Sequence, residues 1–288
     1  MNGTLVRYGQ KPANVAFISQ VENKNRHFFV AVGGLSCGFM FAEYLKPLCS
    51  KLDRIGWTLV QPLLTSSHDG WGTGSVGEDS EELHSLLMML RDTYGMEKAV
   101  LLGHSTGCQD AVMCARRFGK ELNGIILQGP VSDREYLMGA FPNTAERIDL
   151  CRKMVEDGRE DEIAFRFAEF GGTPITAKRW LSLADCSAAG GEDDMFSSDF
   201  SDERLQRELE ALRDVPTLVM MSGADECQVP FGVDPEAIGK RLVEAMAPSA
   251  TLAVIEGGVH DLKDHAEEAS DVIIKFMDSL DADEKETT

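Results

Sequence analysis

Two short stretches of alternating apolar and polar residues, near 4 to 9 and 14 to 20, flank Gly9-Gln10-Lys11-Pro12 and predict an antiparallel opening pair. The rhythm then changes. Compact apolar runs begin near His27, Trp57, Lys98 and Gly124, each separated from the next by a helical pattern, which predicts βαβ crossovers and a mostly parallel sheet with helices on both faces. Before the third of these runs, Leu83, Leu86, Leu87, Leu90 and Tyr94 fall on one helical face ending at Gly95, with Asp79 and Glu82 read as its capping box. After Gly124-Ile125-Ile126-Leu127-Gln128 the next strand pattern is Thr217 to Met221, followed by Thr251 to Glu256 and a last helix over 262–279.

The interval between those strands reads as helical and charged, with blocks at Arg147 to Glu156, Glu160 to Phe170 and Glu203 to Leu212. It predicts a helical cap over 131–210, inserted into a core made of 1–130 and 211–280, with 281–288 a disordered polar tail. Within the cap the acidic runs Glu156-Asp157, Glu160-Asp161-Glu162 and Glu192-Asp193-Asp194 read first as a solvated face, and second as a field favouring neutral or cationic substrates over anionic ones.

The chemistry concentrates where strands end. Lys98 to His104 runs through Gly103-His104-Ser105-Thr106-Gly107 into a helix whose face is Cys108, Ala111, Val112, Ala115 and Phe118, with Gly119 as its cap. A serine in such a turn takes a strained, positive φ and needs small flanking residues. Gly34-Leu35-Ser36-Cys37-Gly38 fits the same five-residue pattern but follows the first parallel strand, where an oxyanion loop belongs, so Ser105 is the expected nucleophile. Its base is expected at His260, in Gly257-Gly258-Val259-His260 after the last strand. The acid is expected after Thr217 to Met221, where Asp225 ranks ahead of Glu226, and Asp133 is a remote third, read as paired with Arg134. Leu35 and Thr106 are the expected oxyanion N–H donors. Gly34, Ser36 and His68 are expected near substrate, and Trp71 either lines the pocket or packs beneath it.

The residues Trp57 to Leu64, Gly70-Trp71-Gly72-Thr73, Gly103 to Asp110 and Leu127 to Glu135 resemble the α/β-hydrolase family that contains the fungal siderophore esterases. The resemblance implies the α/β-hydrolase fold and a serine esterase, with siderophore esters of the fusarinine type among the family's substrates. It is weak across the cap. The family's acid stands two residues after a Gly and four before a Pro, and here Asp225 meets the first condition and Glu226 the second.

Bulk properties narrow the partners. With 48 acidic against 28 basic side chains the formal charge is -20, which repels polyphosphate, so no nucleic-acid partner is expected. Seven cysteines without metal-type spacing, the absence of a signal-peptide pattern and the lack of any apolar run of about 18 residues predict a reduced, cytoplasmic protein without a membrane span. Neither a cofactor nor a metal is expected; His260, Asp261 and His265 match no metal motif. The partner is a small-molecule ester, or, on a second reading, a ligand held without turnover on a hydrolase fold.

Overall fold

The computed structural model describes residues 1–20, 25–187 and 191–286, with side chains as far as Leu280. β1 (Gly3–Arg7) and β2 (Val15–Ser19) pair antiparallel, as the alternation predicts. β3 (His27–Val32), α1 (Leu45–Arg54), β4 (Trp57–Leu63), α2 (Val76–Tyr94), β5 (Lys98–His104), α3 (Gly107–Phe118) and β6 (Gly124–Gln128) then alternate strand with helix. The four predicted strand starts coincide with the observed ones. Their runs are mostly apolar because both sheet faces are covered, so every residue from Phe28 to Val32 and from Ile125 to Leu127 is buried.

The insertion carries α4 (Asp133–Ala140), α5 (Thr144–Glu156), β7 (Ile163–Phe167), β8 (Thr173–Thr176), α6 (Ala177–Ala184) and α7 (Asp202–Glu208). The core resumes with β9 (Thr217–Ser222), α8 (Pro235–Ala245), β10 (Ala250–Ile255) and α9 (Ala266–Glu286). The tail expected over 281–288 falls on residues whose side chains, and for 287–288 the backbone too, lie outside those described.

The eight-stranded sheet has the order β1-β2-β4-β3-β5-β6-β9-β10. From β4 to β10 neighbours are parallel, while β2 meets β4 antiparallel. On one face α2, α3 and α8 bury Leu86, Ala111 and Leu242; on the other α1 and α9 bury Leu48 and Ile273. This is the α/β-hydrolase fold, and it brings the carboxyl ends of β3, β5, β6, β9 and β10 to one edge. Among the described residues no helix is long and apolar enough to cross a membrane.

Two local expectations are corrected. The block at Glu160 to Phe170 holds no α-helix: Ile163, Phe165 and Phe167 share an antiparallel ladder with β8, and after a 3₁₀ turn at Ala168–Phe170 the chain is reversed by Gly171 and Gly172, which stand at φ 68° and 84°. The helix before the elbow starts at Val76, because Ser75 accepts the Glu78 N–H, so Asp79 and Glu82 lie inside α2 and are buried there. Gly119 caps α3 as expected, its N–H bonded to the Ala115 carbonyl, but at φ -56° it runs on into a short 3₁₀ turn and uses none of glycine's left-handed freedom.

Candidate active site

β5 passes into α3 through a single strained residue. Ser105 stands at φ 55°, a conformation that costs a non-glycine residue about 1–3 kcal/mol and persists only where its surroundings impose it. Here they do. The Ser105 N–H donates to the Gln128 carbonyl at 3.0 Å. A Cβ on Gly103 would lie 2.0 Å from the Gly107 carbonyl oxygen, and one on Gly107 would lie 2.7 Å from that of Val32. Both flanking glycines are therefore demanded by close backbone approach.

The loop after β10 brings His260 to this turn, with Nε2 2.8 Å from Ser105 Oγ. Its Nδ1 lies 2.8 Å from Oδ2 of Asp225, which follows β9 and is fully buried. The second oxygen of Asp225 accepts the Cys227 N–H at 2.8 Å. Glu226, adjacent and exposed, points elsewhere and accepts the backbone N–H of His260 at 2.7 Å. Burial pulls the His260 imidazole down, yet its hydrogen bond to Asp225 and the negative charges of Asp225, Glu226 and Asp133 outweigh it and leave its pKa above the ordinary value.

Gly34 is packed on the turn so closely that its Cβ would lie 2.6 Å from Ser105 Cβ. The next residue, Leu35, and Thr106 both carry N–H groups that donate to no backbone carbonyl among the described residues. Ser36 is exposed at φ 63° on the same loop. His68, at φ 54°, ties to that loop by donating its N–H to the Cys37 carbonyl at 3.1 Å, and its ring fills the space beside Gly38. Trp71 takes the packing alternative: it is 1% exposed, enclosed by Phe167 and Phe170 at 6.2 and 5.4 Å, and joins the aromatic core of the insertion to the sheet domain.

Gln128 is the residue that sequence reasoning missed. Its side-chain oxygen accepts from Tyr44 at 3.2 Å and faces His104 Nδ1 at 2.6 Å, while its Nε2 donates to the His260 carbonyl at 3.0 Å. His260 is thus held by its backbone from both sides. The available signal was a glutamine closing an otherwise apolar strand. His104, buried and stacked on Phe41, is pushed down to about 3 by burial and by neighbouring His260, so it stays neutral and donates to Gln128.

Asp133 does not pair with Arg134. It accepts from Thr106 Oγ1 at 3.3 Å and Gln109 Nε2 at 2.8 Å, and burial, reinforced by the charge of Asp193, pushes its carboxyl up to about 7. Arg134 instead binds Asp194 at 2.7 Å, and fully enclosed Arg179 binds Asp193 at 2.8 Å. Two of the three acids in the 192–194 run are therefore interior ion pairs and not part of a solvated face. His265 pairs with Glu268 at 3.0 Å and takes no part in a cluster with His260.

The family model described as "Protein of unknown function (DUF1749)" matches residues 1–280. A UPF0613 protein of Schizosaccharomyces pombe is 31% identical over 85% of this chain and 84% of its own length. The fusarinine C esterase sidJ of Aspergillus fumigatus is 31% identical over 75% of each chain. Among solved structures, the siderophore hydrolase EstB from Aspergillus fumigatus superimposes with a TM-score of 0.80 at 26% identity, covering 97% of both chains.

Proposed function

The chain belongs to the DUF1749 family and, like its esterase relatives, is a hydrolase acting on ester bonds; from that premise we propose that it works through an acyl-enzyme on Ser105. In this reading His260 is the general base and Asp225 the carboxylate that orients it. His260 Nε2 takes the Ser105 proton as Oγ attacks the ester carbonyl carbon. The carbonyl oxygen becomes an oxyanion received by the N–H groups of Leu35 and Thr106, each worth about 3–4 kcal/mol of barrier. The imidazolium then gives its proton to the leaving alcohol, and a water activated by the same nitrogen releases the acid and restores Ser105.

What carries the reading is the continuous chain Ser105 Oγ, His260 and Asp225, with two contacts of 2.8 Å. The raised His260 pKa supports it, since the negative charges that raise it also stabilise the imidazolium formed at the tetrahedral stage. Gly34, Ser36 and His68 would flank the substrate and Trp71 would brace the insertion above it. Siderophore esters, named for two relatives, are the first substrates to assay, and seven free thiols support a reducing, cytoplasmic setting.

A fluorophosphonate probe tests the reading. The native chain should be phosphonylated once, at Ser105, and Ser105→Ala should be neither labelled nor active. A native chain that takes no label and turns over no ester would instead be a binding protein on a hydrolase fold.

A further inference from the structure

The Cys227 thiol takes no step in the ester cleavage described above, although the Cys227 N–H supports Asp225, and it stands two residues beyond Asp225 on the loop after β9. One ligand-capable atom from each of Asp225, Cys227 and His260 lies within 4.8 Å of the other two. On that side of the imidazole the nitrogen is Nδ1, 2.8 Å from Asp225 Oδ2. Carboxylate, thiolate and imidazole are the donors that zinc takes, at about 2.0–2.3 Å, so modest side-chain rotations would gather them around one ion. Asp225 is buried, while Cys227 and His260 are partly exposed and leave the group reachable from solvent.

We infer that Asp225, Cys227 and His260 form an inhibitory site for a thiophilic divalent cation, Zn2+ or Cd2+, a conclusion that rests on His260 being the general base. The inhibition follows from imidazole chemistry. A neutral ring ligates through its unprotonated nitrogen, so an ion on Nδ1 leaves the ring proton on Nε2. That nitrogen faces Ser105 Oγ at 2.8 Å and, once protonated, donates to the hydroxyl and cannot take its proton. The Cys227 thiol releases one proton as it becomes thiolate, and the imidazole proton moves from Nδ1 to Nε2, so one proton leaves per ion bound. The ion also takes Asp225 from the ring it orients, while the space over Ser105 where substrate binds stays open. Zn2+ therefore lowers kcat and leaves KM unchanged.

The full chain is titrated with Cd2+ while the thiolate-to-cadmium charge-transfer absorption is followed, and with Zn2+ while ester turnover is followed. The absorption should develop equally in the native chain and in Ser105→Ala, and its principal component should vanish in Cys227→Ser and Cys227→Ala. Zn2+ should suppress native kcat, reversibly with EDTA, and Cys227→Ser, active without metal, should need about tenfold more Zn2+ or higher for the same effect. Equal Zn2+ sensitivity of native and Cys227→Ser chains, or an absorption unchanged by both Cys227 substitutions, overturns the site. Because ligation is read in Ser105→Ala with no turnover at all, a native chain that gives the absorption but cleaves no ester supports the ligand set and overturns the catalytic reading instead.

Discussion

Glu226 holds His260 by the backbone and Asp225 holds it by the ring: the first accepts the His260 N–H at 2.7 Å, and the second lies 2.8 Å from Nδ1. Asp225→Asn leaves an amide that favours the wrong imidazole tautomer, and kcat should fall on the order of 10⁴-fold. Glu226→Gln keeps an oxygen for the same N–H and should cost about tenfold at most. Steady-state kinetics of the two variants on one ester decide it, and the opposite ranking would move the acid to Glu226.

In the proposed mechanism His260 serves as a base only while its ring is neutral. Against the lowering effect of burial, Asp225, Glu226 and Asp133 hold its pKa above the ordinary 6.5, so kcat/KM should fall as pH drops through that raised value. Glu226→Gln removes one of the charges that favour the imidazolium, and the acid limb should move to lower pH. A pH profile that stays in place or moves upward contradicts this assignment.

Asp79 lies inside α2 with Oδ1 unpartnered, and burial pushes its carboxyl up to about 7 from 3.8. Between those two values the folded chain keeps a proton that the unfolded chain releases, so this group's contribution to stability declines as pH rises across the window. Asp79→Asn keeps the shape and removes the titration. Melting curves should show the variant gaining little over the native chain at about pH 4 and most at about pH 8. A Tm difference independent of pH would refute the account.

Much of this fold was legible because the chemistry sits at strand ends. Ser105 and His260 each follow an apolar run and a glycine signal, and the structure brings their side chains to 2.8 Å. Asp225 and Glu226 could only be ranked, since neighbours on one loop differ in side-chain direction, which no spacing encodes. Trp71 was ambiguous for a related reason: whether a large ring faces substrate or aromatic neighbours depends on Phe167 and Phe170, about a hundred residues further along the chain. The hairpin β7–β8 was hidden by charges that resemble a solvated helix. Asp193 and Asp194 were misread because their partners, Arg179 and Arg134, meet them only after the insertion has folded.

The clasp that Gln128 places on His260 spans 132 residues, and the hydroxyl and imidazole it aligns are 155 residues apart in the chain. On the proposed mechanism, a polypeptide leaving the ribosome therefore exposes its nucleophile long before its base has been synthesised. Until β10 docks and the loop beyond it closes, Ser105 is an ordinary alcohol. On that mechanism completion of the sheet is itself the activation step, and an unfinished or misfolded copy is chemically harmless to the esters around it.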